Sequence, residues 1–341
     1  MTPNDWLAVV RHEYMDDFVA QGGAAVKVCV CVDARTRTEL QSELQHQAEA
    51  AGYVCATASA VSTRLHQIEK LFNEVARQIN WDALTHSFLV SLLQGQGVRL
   101  PEAGQPFTLT TIADLNGFAE PFLRNDVQRW LRKEILEDYA MGQEFRLAMA
   151  QLCLAHLDPT DDPALESSLK AWLRGELRLL SAIKRAQIFQ KIARHNARYM
   201  LASLAHWVTR AGRRGLVLEL DISRYAETVK PSDRNDGLYY STPAALDVYE
   251  VLRQFVDATD DMECCLIVVI TGQEFLHDDR RGLRGYQALY MRLADEVRDR
   301  YRQNPLASLV RLESVESGYG AAQDGNVEAA WTGTATTSER V

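Results

Sequence analysis

The sequence predicts an α/β fold, with a parallel sheet whose two halves are separated by a long helical insertion. Short apolar runs alternate with segments of helical periodicity in the N-terminal and C-terminal thirds of the chain. One of these runs, residues 264–271, is almost continuously apolar, as is typical of a parallel strand covered on both faces. Between the two halves, residues 119–210 carry a helical pattern almost throughout.

The N-terminal elements follow from their apolar periodicity and their glycines. Trp6, Val10 and Tyr14 recur at helical intervals, and the glycine pair at 22–23 ends that helix. Before the insertion, helices are predicted at residues 5–21, 38–50 and 65–79. Strands are predicted between them, at residues 26–32 and 53–58.

The strands of the second half come after the glycines at 212–215. They are predicted at residues 216–221, 264–271 and 306–312. We therefore expect the N-terminal half of the α/β domain at residues 1–118 and a helical insertion or subdomain at 119–210. The C-terminal half of the domain is expected at 211–317 and a disordered tail at 318–341.

Composition excludes several classes of protein. The 341 residues are 47% apolar and 24% charged, as in an ordinary globular protein. No apolar run reaches the roughly 20 residues of a membrane span and no signal pattern is present, so we expect a cytoplasmic protein without membrane contact. A net charge of −9 argues against general attraction to nucleic acid but permits a local basic patch. The six cysteines lack ligand spacing, so we expect no metal site.

Residues 31–38 lie between a strand and a helix, where a phosphate-binding loop, G-x-x-x-x-G-K-[ST], is expected. On that spacing Cys31 and Thr36 take the glycine positions, Arg37 takes the lysine position, and only Thr38 keeps the residue type of the motif. Glycines let backbone N–H groups turn toward phosphate, so side chains at Cys31 and Thr36 should close that approach. The sequence predicts the strand–loop–helix arrangement of an ATPase without the glycines and lysine that bind phosphate.

Several further segments have an order and spacing that are specific only when taken together. They are residues 13–27, 172–176, 196–207, 214–221, 271–275, 281–292 and 304–312. Over roughly residues 5–313 the chain thereby resembles the ATP-binding P-loop proteins of BREX and related bacterial phage-defence systems. The resemblance implies a P-loop NTPase-like (AAA+/RecA-type) sheet. It also implies partner proteins such as a helicase, a nuclease or a methyltransferase, with DNA contacted indirectly.

Residues 214–221 resemble the Walker B strand of that family, which normally ends in Asp-Glu. Asp221 stands in the position that holds Mg²⁺, but Ile222 occupies the position of the glutamate that orients water. Glu219, inside the strand, needs a partner because an unpaired buried carboxylate is costly. With two motifs altered, we expect a protein that is not an ATPase, with no catalytic residue and no required cofactor.

Four residues are candidates for a vestigial or weak nucleotide site: Arg37, Thr38, Asp221 and Thr271. Arg37 suits a phosphate, although a solvated arginine at a helix start is the favoured interpretation. Thr38 is either a helix N-terminal hydroxyl or a Mg²⁺ ligand. Asp221, at a strand end, is either a ligand-binding group or a turn cap. Thr271 is either a γ-phosphate sensor, as the resemblance implies, or the cap of the next residues, which we favour.

Two basic groups are candidates for contact with a partner or with nucleic acid. Lys184, Lys191, Arg194 and Arg198 are predicted to lie along an amphipathic helix, with phosphate-backbone contact as the alternative to a solvated face. Arg280, Arg281 and Arg284 form the second group. Because Asp278 and Asp279 adjoin them, local ion pairing is favoured over an arginine finger or a partner contact.

The sequence therefore predicts a catalytically degenerate P-loop ATPase-like protein, acting as a structural or regulatory subunit of a bacterial anti-phage complex. One alternative is a switch that binds ATP and Mg²⁺ through Arg37, Thr38 and Asp221 and hydrolyses slowly or only with a partner. A second alternative is a DNA-binding module that depends on residues 184–198.

Overall fold

The centre of the molecule is a parallel β-sheet. The computed structural model describes residues 1–229, 231–233, 235–294 and 303–314, and within them the sheet has five strands. The strands are β1 (Ala24–Cys31), β2 (Val54–Ser59), β3 (Leu216–Asp221), β4 (Cys265–Gly272) and β5 (Leu309–Leu312). Their order is β2-β3-β4-β1-β5, and all neighbouring pairs run parallel. The predicted α/β class with a parallel sheet is confirmed.

Helices fill the connections between the strands. The α-helices are α1 (Pro3–Val10), α2 (Ala34–Ala50), α3 (Ile68–Gln78), α4 (Trp81–Gly95), α5 (Leu109–Asn116), α6 (Glu120–Leu131), α7 (Gln143–Leu157), α8 (Pro163–Leu173), α9 (Ala197–Arg210), α10 (Ser223–Ala226), α11 (Thr242–Asp257), α12 (Glu274–His277) and α13 (Gln287–Leu293). Short π- and 3₁₀-helical segments cover Arg11–Phe18, Arg132–Leu136, Leu180–Ala186, Pro231–Asp233, Thr259–Asp261 and Leu283–Gly285. Among the described helices, none is long and apolar enough to cross a membrane.

The sheet separates two layers of apolar packing. Because side chains alternate along a strand, Val28 and Val30 of β1 enter one layer while Cys29 and Cys31 enter the other. The first layer contains α3–α13, and the second contains α1 and α2. The crossover after β1 therefore leaves on one face of the sheet, and those after β2, β3 and β4 leave on the other.

The helices between β2 and β3 pack against one face of the sheet, within the first layer. Trp81, Phe145 and Trp207 share one apolar cluster with strand residues such as Leu218 and Ile267. The boundaries predicted at 118 and 210 stay predictions, and the tail predicted at 318–341 lies outside the described residues.

Gly215 allows β3 and β4 to start close together. Its φ is +154°, and a Cβ built on it would lie 2.1 Å from the carbonyl oxygen of Cys264. That same oxygen accepts a hydrogen bond of 2.9 Å from the amide of Leu216, so it cannot move away without breaking the ladder. A side chain at position 215 therefore conflicts with the register of the sheet.

We predict that Gly215→Ala lowers the free energy of unfolding by about 2–4 kcal/mol, because clash and backbone strain add. Gly212→Ala is the matched control: its φ is +79°, but a Cβ there meets nothing within 4 Å. The control should cost only about 1–2 kcal/mol. Urea unfolding followed by tryptophan fluorescence measures both, and equal losses would contradict the prediction.

Candidate functional site

The candidate nucleotide site lies where β1, β3 and β4 end. Because these strands are parallel, their carboxyl ends share one edge of the sheet, which is where open α/β sheets bind ligands. Only Val32 and Asp33 separate the end of β1 from α2, which begins at Ala34. The predicted helix start at residue 38 is wrong. Residues 34–38, predicted as part of a phosphate loop, form the first turn of α2.

Asp33 explains why the helix begins so early. Its Oδ1 accepts a hydrogen bond of 2.7 Å from the backbone amide of Thr36, so its carboxylate caps α2. The first free N–H groups of a helix and its positive dipole end are what a phosphate loop offers to an anion. Here the chain's own carboxylate occupies that position.

Thr36, which aligns with the second glycine position of the motif, points into the protein. Its side chain is fully buried, and its Oγ1 accepts a hydrogen bond of 3.1 Å from the amide of Ser314, two residues beyond β5. Cys31, at the first glycine position, is a buried residue of β1. Burial raises the pKa of its thiol to about 12, despite the opposing charge of Arg37, so this cysteine stays protonated.

Arg37 extends from the first turn of α2 across the strand ends. Its Nη1 donates to Ser223 Oγ at 2.9 Å, while its buried Nε has no acceptor. A Cβ built on Gly272 would lie 2.5 Å from Glu274 Oε2 and 3.8 Å from Arg37 Nη2, so both side chains cover the end of β4. Arg37 is therefore not the solvated arginine that was favoured, because it is packed into this edge and partly satisfied there.

Thr38 and Asp221 are both engaged by nearby backbone. Thr38 Oγ1 donates to the carbonyl of Ala34 at 3.0 Å, which consumes its hydrogen for the helix itself. Asp221 is 7% exposed, and its Oδ1 accepts from the amide of Ser223 at 3.0 Å. This contact corresponds to the turn cap that was one of the two interpretations of Asp221. Ile222 is buried and brings no polar group to the edge.

Thr271 does not join the other candidates. Alternation along β4 places it on the face opposite the one that carries Asp221, in the layer of Val30 and Val269. Its buried Oγ1 makes no hydrogen bond, so the capping role favoured from the sequence is wrong.

Glu219 has the partner that burial requires. It faces α2 from the middle of β3 and accepts a hydrogen bond of 2.6 Å from Gln41 Nε2. Desolvation raises the pKa of this carboxyl to about 6; the charge of Asp221 adds to the shift and the Gln41 hydrogen bond opposes it. The group is structural, since its carboxylate lies against α2 and not in an open cleft.

The strand ends at the β1–α2 junction present few free donors to an anion. The carboxylates of Asp33, Asp221 and Glu274 lie near the same strand ends as Arg37, and Asp33 already caps the N-terminus of α2. Within the described ranges no three histidine, cysteine or acidic side chains are grouped as a metal site would need. The structure brings Arg37 and Asp221 to the same edge but not into the arrangement of a phosphate cradle.

The arginine group at 280–284 supports a turn instead of forming a cluster. The backbone amides of Arg280 and Arg281 donate to Asp278 Oδ1 at 2.8 and 2.7 Å, so this carboxylate caps the turn. Those bonds lower the pKa of Asp278. Arg281 Nη1 donates to the carbonyls of Glu227 and Tyr240, each at 3.0 Å, and Arg284 is exposed.

The second basic group is exposed but does not lie on one helix. Lys184 belongs to the 3₁₀ segment, Lys191 and Arg194 to an irregular stretch, and Arg198 to the first turn of α9. The amphipathic helix predicted over 184–198 is therefore wrong. Gln187, with φ of +59°, ends the 3₁₀ turn, and the burial of Ile188 fixes the irregular path.

Four residues that contribute to the site were not among the predicted ones: Asp33, Gln41, Ser223 and Glu274. One of them carried a recognisable signal. An aspartate directly before a helical pattern is a helix N-terminus signature, and Asp33 fits it. The spacing of a phosphate loop was given more weight than this local signal.

Comparison with known proteins gives one family. A family model described as "BREX system ATP-binding protein BrxC/D" matches residues 11–321, which is most of the chain. Neither the curated proteins nor the solved structures compared with the chain give a match. The resemblance drawn from the sequence is confirmed.

The raised pKa of Glu219 predicts that the free energy of unfolding depends on pH. A carboxyl whose pKa rises on folding binds its proton more tightly in the folded state. Its stabilising contribution is therefore present below the ordinary value of 4.5 and is lost as pH rises toward about 6. We expect Glu219→Gln to gain about 1–2 kcal/mol relative to the native chain between about pH 4 and about pH 7.5.

Chemical unfolding of Glu219→Gln and of the native chain at about pH 4 and about pH 7.5 tests this prediction. Glu102→Gln, at an exposed position, is the control. A difference between Glu219→Gln and the native chain that stays constant with pH would contradict the assignment.

Proposed function

Because the chain belongs to the BREX ATP-binding BrxC/D family, we propose that it is a structural or regulatory subunit of a phage-defence assembly and does not hydrolyse ATP. The family supplies the defence context and implies other components of the system. We further propose that its partners are of the helicase, nuclease or methyltransferase classes. In this proposal, side chains of the chain itself occupy the edge where a nucleotide would bind.

The observation that carries this proposal is the cap of α2. Asp33 holds the amide of Thr36 at 2.7 Å, and Thr36 is itself tied to Ser314. For a phosphate to reach the N-terminus of α2, a carboxylate that already bonds there must leave and the first turn must unwind. Losing a cap costs about 1 kcal/mol, and a second anion placed beside Asp33 would be repelled.

The end of β3 supports the same proposal. Phosphoryl transfer depends on a positioned metal ion and a group that orients water. Asp221 is engaged with the amide of Ser223, Thr38 bonds its own helix, and Ile222 is buried. A switch that binds ATP and Mg²⁺ through Arg37, Thr38 and Asp221 would need all of these contacts to rearrange together, so it is the weaker alternative.

A second candidate function is contact with nucleic acid. Residues 177–199 contain six lysines and arginines and no acidic residue, within a chain of net charge −9. Lys184, Lys191, Arg194 and Arg198 are exposed, and Arg185 pairs with Asp162 at 2.6 Å. Phe189 and Tyr199 are 67% and 53% exposed among them. Basic groups interleaved with exposed aromatic rings suit a phosphate backbone and its bases.

We predict that the purified protein hydrolyses ATP no faster than its Asp221→Ala variant. The reason is that the native chain lacks both the phosphate cradle and the group that orients water. Release of phosphate from Mg²⁺–ATP is the measurement. Hydrolysis by the native chain that disappears in Asp221→Ala would overturn the proposal, and Mg²⁺–ATP binding lost in Arg37→Ala would favour the switch.

For the basic surface, we predict duplex and single-stranded DNA binding that weakens with salt, with a log–log slope of about −3 to −4 for four phosphate contacts. Lys191→Glu/Arg194→Glu should reduce the slope by about 2. The charge-matched control Lys133→Glu/Arg213→Glu lies at the other end of α9, where Arg210 bonds Glu134. Fluorescence anisotropy against salt measures this, and an equal loss in the control would exclude a defined surface.

A further inference from the structure

A cleft lies on the same edge of the sheet as the β1–α2 junction, but beyond β2 and β3. Its volume is about 600 Å³, and its lining includes Arg64, His66, Tyr240, Ser241 and Arg281. Arg64 and His66 follow β2, and Arg281 follows β4, so the cleft lies outside the carboxyl ends of parallel strands. Its volume falls within the range of about 300–1,000 Å³ of small-molecule sites.

We propose that this cleft binds a phosphate-bearing small molecule about the size of a mononucleotide. It is separate from the junction of β1 and α2, where Asp33 occupies the anion position. Each of the following features of the lining favours that class of ligand.

The lining is basic in an acidic protein. It contains two arginines and a histidine and no carboxylate, whereas the chain carries a net charge of −9. Arg64 is exposed, and its guanidinium makes no hydrogen bond or ion pair with the part of the chain that the structure describes. A guanidinium presents several donors in a plane and suits phosphate oxygens well.

Arg281 is held in place while it keeps donors to offer. Its Nη1 donates to the carbonyls of Glu227 and Tyr240, each at 3.0 Å, which fixes the guanidinium between two segments. Its Nε and Nη2 have no acceptor among the described residues. The fold therefore already orders the Arg281 side chain, and a ligand would not have to immobilise it on binding.

His66 adds a neutral donor whose tautomer follows from its hydrogen bonds. The hydroxyl of Tyr225 accepts from the backbone amide of His66 at 3.0 Å, so its own hydrogen is directed to His66 Nδ1 at 2.8 Å. Burial lowers the pKa of His66, which keeps the ring neutral with its proton on Nε2. The imidazole thus carries an N–H donor without a charge.

The wall behind the histidine is rigid. The rings of Tyr225 and Tyr240 stack with centroids 3.9 Å apart, and the Tyr240 hydroxyl bonds the carbonyls of Ala60 and Thr63. Ser241 and Thr242 bring the N-terminus of the 16-residue helix α11 to the same cleft. Ser241 caps that helix through the amide of Ala244 with an uncharged hydroxyl, so the positive end of its dipole still reinforces the attraction for an anion.

The test is titration calorimetry of the full-length protein with ADP in the absence of Mg²⁺, with adenosine as the uncharged probe. We expect ADP to bind saturably below about 5 mM and adenosine to bind at least about tenfold more weakly. Arg64→Gln should weaken ADP about tenfold or more, and because Arg64 is exposed this variant should fold normally.

Two controls make the outcome decisive. Arg213→Gln replaces another exposed arginine, at the opposite edge of the sheet, and Arg37→Ala addresses the β1–α2 junction; neither should change ADP affinity. Absence of ADP binding, binding that Arg64→Gln leaves intact, or equal binding of adenosine would each overturn the proposal. A site lost in Arg37→Ala would instead locate the ligand at the junction and contradict the proposed function as well.

Discussion

The structure depends on the ladder between β1 and β4. Residues 24–31 pair in parallel with residues 265–272, and both strands are buried on both faces. Strands in this position must satisfy their backbone groups within the sheet and can carry few polar side chains along their length. Chemistry is therefore confined to the strand ends, and the helices on the two faces, α2 on one and α3–α9 on the other, are placed by the same alternation of side chains.

The shared edge of the sheet has two electrostatic characters. At the end of β1, Arg37 is accompanied by the carboxylates of Asp33, Asp221 and Glu274. A few strands away, beyond β2 and β3, Arg64 and Arg281 line a cleft without any carboxylate. The first end holds more carboxylates than arginines, and the lining of the second holds arginines without a carboxylate. An anion entering this edge would be attracted to the second end and not to the first.

Much of the fold could be predicted from the sequence, because continuous apolar runs such as residues 264–271 have few structural alternatives. The junction after β1 could not be predicted correctly, since the spacing of a phosphate loop and the N-cap signal of Asp33 compete over the same residues. Residues 184–198 also differed from their pattern. There the burial of Ile188 and Ile192 and the left-handed backbone of Gln187 outweigh helical propensity, and such tertiary constraints leave no local signal. The position of Thr271 on the opposite face follows only from the register of the strands.

Asp33 also makes the start of α2 independent of an external anion. A protein that needs a nucleotide to complete its fold gains stability from that ligand, so its level depends on the supply. Here the negative charge at the start of α2 is encoded in the chain and is present as soon as that segment is synthesised. We therefore expect the junction of β1 and α2 to form equally well when the cellular ATP pool is full and when it is depleted. At this junction the anion is part of the chain, so its supply does not vary between starved and growing cells.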